Sequence, residues 1–210
     1  MIYKAYGKTG LQVSAVGFGG MRFDVKQQQA TNAEIIQYAV DQGINYLDTA
    51  PGYCEDQSED IFGLALKDMA GRRDQLYVST KGMPGDFDTE DKAIAQVEKS
   101  LKRLNTDYID FYHVWCIRRW DQYQLAMKLG GQYDGLMKCK EQGKIRHIVV
   151  STHLRGPEVE DLVSRNEFEG VLLGVNILNF LYRWDGVQAA HKAGLGVVAM
   201  GLVVDEFVDQ

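Results

Sequence analysis

Four residues in this chain have types suited to proton transfer: Asp48, Tyr53, Lys81 and His113. A lysine ammonium beside a phenol favours the phenolate and lowers a tyrosine pKa from its usual value of about 10. A tyrosine tuned in this way is a usable general acid near neutral pH. Such an acid suits protonation of a carbonyl oxygen as hydride arrives at its carbon, or alcohol oxidation in reverse. A buried lysine needs a partner, and Asp48 is the natural one. Each residue alone has a plainer explanation. An aspartate after a strand often caps a turn, a loop tyrosine often packs, a lysine is usually exposed, and a histidine often sits satisfied in a core. Their joint placement at successive strand ends argues for chemistry.

Those strand ends follow from the alternation of elements. Apolar, β-branched runs at 15–20, 45–50, 76–81, 109–115, 146–152, 171–178 and 196–203 read as strands. Several are nearly continuous apolar runs, as expected of parallel strands buried on both faces. Amphipathic segments lie between them. Thr31 and Glu34 form a capping-box pattern ahead of a stripe of Ile35, Ile36, Ala39 and Val40. Thr89 is placed to cap a helix carrying Ile94, Val97, Leu101 and Leu104, and Pro157 to open one carrying Val159, Leu162 and Val163. Gly43, Gly143 and Gly194 each stand where a left-handed residue ends a helix just before a strand. The repeated unit is helix, glycine, strand.

This pattern predicts an α/β fold, either a doubly wound sheet or a parallel (β/α)8 barrel of the TIM type. Gly17-Phe18-Gly19-Gly20 lacks the third spaced glycine of a dinucleotide fingerprint, and Met21-Arg22-Phe23 does not open a helix. The barrel reading is therefore the expectation. Ile2–Tyr6 and Gln12–Ser14 read as an N-terminal hairpin that could plug the barrel bottom. In such a barrel, reactive residues gather at the C-terminal strand ends. Asp48 and Tyr53, Lys81, His113 with Trp115, and Ser151-Thr152-His153 all occupy such positions.

Composition narrows the function classes. The chain has 210 residues, 45% of them hydrophobic and 25% charged, which fits a single globular domain over 1–210. A formal net charge of −6 argues against nucleic acid. Cys54, Cys116 and Cys139 are too scattered for a disulfide framework or a CxxC metal site. No secretory pattern or membrane-length apolar run is present in the sequence, so a cytoplasmic setting without membrane contact is the expectation.

The residues resemble the aldo-keto reductase family. Asn45-Tyr46-Leu47-Asp48-Thr49-Ala50-Pro51-Gly52-Tyr53 with Ser58-Glu59 is similar to its most specific motif. Gly7–Leu11 with Val16–Gly19, Ser79-Thr80-Lys81, Leu101–Leu104 with Thr106–Asp110, and Gly143–Ile148 match further stretches. The resemblance covers nearly the whole chain. It implies a barrel that binds NADPH, less often NADH, and reduces aldehydes or ketones without a metal. It implies Tyr53 as acid, Asp48 and Lys81 tuning it, and a histidine orienting the carbonyl. It places Gly20, Met21, Ser151, Thr152, Asn176 and Met200 against the cofactor. Arg22, Trp115 and Trp120 are expected around the substrate. Pro51-Gly52-Tyr53-Cys54 resembles a bacterial branch whose longer members carry an iron–sulfur segment near the C-terminus. No such cysteine cluster occurs in these 210 residues.

Several positions depart from the family pattern. The usual histidine slot holds Trp115, and His113 lies two residues earlier, about 6–7 Å deeper along the strand. Either His113 acts from a shifted position or Trp115 replaces it with a steric wall. Thr152 stands in place of an asparagine. Gly174 stands in place of a glutamine, with Asn176 nearby. Met200 replaces a stacking tyrosine, and a thioether can also pack on a ring face. The sequence yields seven core strands, whereas closure needs eight. The barrel is thus expected to lack its last strand and helix, the chain being a piece of a longer protein. Closure by a homodimer and irregular pairing of Val203–Val208 are the alternatives.

The long segment from Cys116 to Gly135 is either a wall of the pocket or a packed surface loop. As a wall, Arg118 and Arg119 would attract an acidic substrate. Cys54, beside Tyr53, is either an oxidation-sensitive thiol or a small loop residue. The leading functional expectation is carbonyl reduction. A non-catalytic barrel acting as a binding subunit and a barrel isomerase using Lys81 and Tyr53 without nucleotide are the competing ones.

Overall fold

A computed structural model describes residues 1–201. The expected strand pairing by Val203–Val208 lies outside the described residues, as does the end of the run at 196–203. β1 (Tyr3–Ala5) and β2 (Gln12–Ser14) form the antiparallel N-terminal hairpin. A parallel sheet follows in strict chain order: β3 (Phe18–Gly19), β4 (Tyr46–Asp48), β5 (Tyr77–Gly82), β6 (Ile109–Ile117), β7 (Ile145–Thr152), β8 (Gly170–Gly174) and β9 (Gly196–Met200). Strand order equal to chain order is the barrel order; a doubly wound sheet would reverse direction partway. β3 and β9 are the two sheet edges and do not pair with one another. Residues flanking both edges nevertheless line one cavity. The seven strands thus form a curled half-barrel.

Helices α1 (Gln29–Asp41), α3 (Ser58–Asp68), α4 (Glu90–Leu104), α6 (Gln132–Glu141), α7 (Gly156–Ser164) and α8 (Phe180–Ala193) cover the outer face of the sheet. Short turns α2 (Tyr53–Asp56) and α5 (Trp120–Met127) follow β4 and β6. Strand alternation divides the apolar residues into two cores. Outward-facing Leu47, Val78, Tyr112, Val114, Val150 and Leu173 pack against helix residues such as Ile36, Phe62, Val97 and Leu162. Inward-facing Phe111 and Val149 join Tyr46 and the hairpin's Tyr6 inside the barrel. Tyr6 plugs the bottom: a Cβ on Gly170 or Gly196 would lie 2.1 Å from its ring or hydroxyl. Only glycine lets this tyrosine pass there.

Most helix signals agree with the structure. The Thr89 side chain accepts from Lys92 N at the start of α4. Pro157 lies in the first turn of α7. Gly43, Gly143 and Gly194 have φ of 92°, 76° and 81°, the left-handed values expected. Two expectations need correction. α1 begins at Gln29, so Thr31 sits inside the first turn and Thr31/Glu34 is not its cap; Ile35 is exposed, outside the buried stripe of Ile36, Ala39 and Val40. The segment from Cys116 to Gly135 carries α5 and the start of α6 and packs on the barrel's outer side.

Candidate active site

β4 and β5 run side by side with Asp48 opposite Ser79, and β5 and β6 with Lys81 opposite His113. Period-two alternation turns Asp48, Ser79, Lys81 and His113 inward together. Lys81 is almost fully buried, and its Nζ lies 2.5 Å from Asp48 Oδ2. A buried ammonium without that carboxylate would be costly. The other carboxylate oxygen, Asp48 Oδ1, accepts from Ser79 Oγ at 2.7 Å. Ser79 Oγ in turn lies 2.9 Å from His113 Nε2. A hydroxyl has one proton to give. Both contacts are hydrogen bonds when that proton goes to Asp48 and His113 Nε2–H donates to Ser79. Burial first, and the Lys81 cation second, push the His113 pKa down to about 3, so its imidazole is neutral in ordinary buffers.

Tyr53 follows β4 by way of Gly52, whose φ of 79° requires the freedom of glycine. The Lys81 ammonium lies 5.5 Å from the Tyr53 ring centre. The Trp115 ring meets the Tyr53 ring edge-on at 5.6 Å. Beyond Tyr53 the backbone is unusual. Cys54, Glu55 and Asp56 have φ of 54°, 54° and 63°, and none is glycine. A left-handed L-residue costs roughly 1–2 kcal/mol, so other contacts must hold this turn. Asp56 Oδ1 accepts from Gly52 N at 2.9 Å and from Arg103 Nη1 at 2.7 Å. Cys54 Sγ donates to Gly20 O at 3.3 Å.

These residues border a cavity of about 550 Å³, lined by Asp48, Tyr53, Lys81, Trp115, Ser151 and Met200 among others. Gly19, Gly20 and Met21 contribute from the β3 side, and Tyr6, Val13 and Tyr46 from the barrel interior and hairpin. The space beside Gly19 is open, with nothing within 4 Å of where a Cβ would stand. Gly20 is enclosed instead: a Cβ there would lie 2.4 Å from the Phe62 ring.

Several anticipated residues are placed elsewhere. His113 is fully buried behind Ser79 and is not among the cavity-lining residues. Thr152 is adjacent to Ser151 and so faces the opposite side of β7, where its hydroxyl donates to Ile117 O at 2.8 Å. Asn176 caps the turn after β8: Oδ1 accepts from Leu178 N and Asn179 N, and Nδ2 donates to Gly201 O. Arg22 is exposed and is not a lining residue. Trp120 stacks on Tyr123 at 4.7 Å under the Arg165 guanidinium, on the outer side. Arg118 and Arg119 also lie off the cavity, against Cys116 Sγ and Asp121.

The sequence reading did not single out Ser79, the residue that links Asp48 to His113. Its position two before Lys81 was the available signal. Arg103 and Asp56 were also missed, since no local pattern ties α4 to the turn after Tyr53.

Comparison with known proteins gives a consistent result. The chain is 35% identical over 163 residues to "Aldo-keto reductase YhdN" of Bacillus subtilis, a match over 72% of this chain and 47% of that protein. It thus spans about half the length of the curated relatives it matches. Among solved structures, a putative aldo-keto reductase from Pseudomonas aeruginosa superposes with a TM-score of 0.77 at 26% identity, over 94% of this chain and 76% of that one. A Bombyx mori aldo-keto reductase in complex with NADP shares the fold, with a TM-score of 0.74 at 22% identity, over 94% of this chain and 65% of that one. A profile of the Aldo/keto reductase family matches residues 15–208, and the chain belongs to that family.

Proposed function

We propose that this chain carries the proton-donor machinery of a nicotinamide-dependent carbonyl reductase, with Tyr53 as the acid. The observation that supports it most is the buried Lys81–Asp48 pair beside the Tyr53 ring, in a cavity large enough for a small carbonyl compound. The lining residues also suit a flat nicotinamide ring. Ser151 offers a hydroxyl on one wall, Met200 a polarisable thioether, and the open face at Gly19 allows close approach to backbone. Gly20 and Met21 border the same space. When bound, the dinucleotide supplies hydride to the carbonyl carbon. The relative crystallised with NADP suggests NADPH as the first cofactor to test.

The chain's own residues perform the rest. Tyr53 donates its phenolic proton to the carbonyl oxygen as negative charge builds there. The Lys81 cation favours the phenolate that remains, which makes the proton easier to give. Asp48 pairs with the buried Lys81 and fixes where its ammonium points. Ser79 holds the other Asp48 oxygen, and neutral His113 supports Ser79 from behind. In this reading His113 orients Asp48 rather than the substrate. Trp115 occupies the cavity wall beside Tyr53 and limits which carbonyl groups approach it edge-on. Cations on that wall are few: among the described lining residues they are Lys4 and the ion-paired Lys81. An uncharged carbonyl compound therefore fits better than an acidic one.

Titration of the chain with NADPH, followed by tryptophan emission, tests the cofactor part of the proposal. Saturating quenching at micromolar NADPH is the expected result. A folded chain that gives no response would overturn it.

A further inference from the structure

The turn that follows Tyr53 is closed by Gly52 N–H on Asp56 Oδ1 and by Gln57 N–H on Tyr53 O and Cys54 O, yet its backbone is strained. Cys54, Glu55 and Asp56 are three consecutive non-glycine residues in left-handed conformation. Such residues relax toward right-handed or extended backbone unless something external prevents it. Cys54 Sγ donates to Gly20 O on one side, and the charged external partner comes from α4, on the helix layer outside the sheet. Arg103 is largely buried, and its Nη1 lies 2.7 Å from Asp56 Oδ1. Its Nη2 also donates to the Asp56 carbonyl oxygen. The same guanidinium is fastened to α3, through Asp60, by Nε at 3.1 Å and Nη2 at 2.9 Å. Glu59 Oε2 lies a further 3.5 Å from Nη1.

The planar five-donor fork of arginine can meet side-chain and backbone acceptors at fixed angles, which a lysine cannot do. Asp56 passes the constraint on. Its Oδ1 also accepts from Gly52 N at 2.9 Å, so one carboxylate oxygen joins the residue before Tyr53 to the turn after it. The Arg103 cation, through these hydrogen bonds, also holds the Asp56 carboxyl below its usual range.

We infer that Arg103 is a positioning residue for Tyr53: its grip on Asp56 holds the left-handed turn 54–56 and so keeps the phenol over Lys81. The inference rests on the reading of Tyr53 as the acid. Arg103 touches no part of the cavity. Loss of the clamp lets the turn relax, and the Tyr53 ring moves away from the ammonium. Lys81 from β5 and Trp115 from β6 meet the Tyr53 ring, Asp48 from β4 borders the same cavity, and none of the three is itself altered by removing Arg103.

The test is an NMR titration of the chain labelled with ring-¹³C tyrosine, the Tyr53 signal being assigned by its absence in Tyr53→Phe. Arg103→Ala is expected to raise the Tyr53 midpoint by about one pH unit, with the helical circular dichroism retained. Where turnover is measured, kcat falls roughly 10–100-fold while KM changes little. Adding Cys54→Gly and Glu55→Gly to Arg103→Ala should bring the midpoint part of the way back, because glycine adopts the turn without being held. A merely structural role would lower thermal stability and leave the midpoint in place, and that result would overturn the inference. If Arg103→Ala does not fold, Asp56→Ala carries the same test, since Arg103 then keeps Asp60. An ordinary tyrosine midpoint in the unsubstituted chain would instead overturn the reading of Tyr53 as a tuned acid, and this inference with it.

Discussion

Ser79 bridges His113 to the reactive cluster: its Oγ lies 2.9 Å from His113 Nε2 and 2.7 Å from Asp48 Oδ1, an oxygen that is itself 3.9 Å from the imidazole nitrogen. The imidazole is fully buried. Trp115, two residues further along β6, takes the place on the cavity wall. In the proposed function these two residues of one strand divide the work, His113 supporting the carboxylate through Ser79 and Trp115 shaping the cavity.

The Ser79 bridge sets a first expectation. Ser79→Ala leaves a buried imidazole N–H and one Asp48 oxygen without their partner. An unsatisfied buried polar group costs about 1–3 kcal/mol. Urea unfolding should therefore show a loss of that order with an unchanged m-value. A loss near zero would mean that the serine bridge contributes no net stability.

His113 gives a pH expectation. Its pKa falls from 6.5 in the unfolded chain to about 3 in the folded one, through burial and the Lys81 cation. Between those values the unfolded chain binds the extra proton, so the contribution to stability is complete above pH 6.5 and declines as pH falls toward 3. The His113 ring signal should not titrate between pH 5 and 8, and no limb of a pH–rate profile in that range should vanish in His113→Gln. A His113 midpoint near 6.5 would contradict the burial.

A second pH-sensitive cluster lies near the strand starts. Glu169 is held down to about 2, against the opposing effect of burial, by hydrogen bonds and charge from His147 and Lys140. Its contribution is present above the ordinary glutamate range and is lost as pH falls from about 4.5 toward 2. Glu169→Gln should flatten that part of the stability–pH curve. An unchanged acid slope would show that the cluster contributes nothing.

Much of this architecture is legible in the sequence, for physical reasons that differ by residue. Continuous apolar runs and glycines at 43, 143 and 194 mark strands and helix ends because parallel strands are buried on both faces and a left-handed cap favours glycine. Lys81 is legible because a lysine at the end of a buried strand demands a carboxylate. Thr152 and Trp120 read less well. Adjacent strand residues face opposite sides, so Ser151 and Thr152 do not share a cavity, and Trp120 is carried outward by α5. Gln28 caps α1 without a side-chain bond, so the Thr31/Glu34 pattern marks the wrong turn. The Arg103–Asp56 contact spans 47 positions, and no local spacing rule reaches that far.

The tryptophans offer a direct readout of the cavity. The chain has three, and Trp115 lines the cavity whereas Trp120 and Trp184 do not. Quenching by NADPH should largely disappear in Trp115→Phe and persist in Trp120→Phe. The reverse pattern would place the nucleotide outside the cavity.

The central claim, that Tyr53 gives the proton, is tested most directly by comparing the unsubstituted chain with Tyr53→Phe in carbonyl-dependent oxidation of NADPH. A positioned general acid contributes roughly 10²–10⁴-fold, and Tyr53→Phe is predicted to lose a factor in that range while folding normally and binding NADPH unchanged. Equal rates for the two proteins would contradict the account.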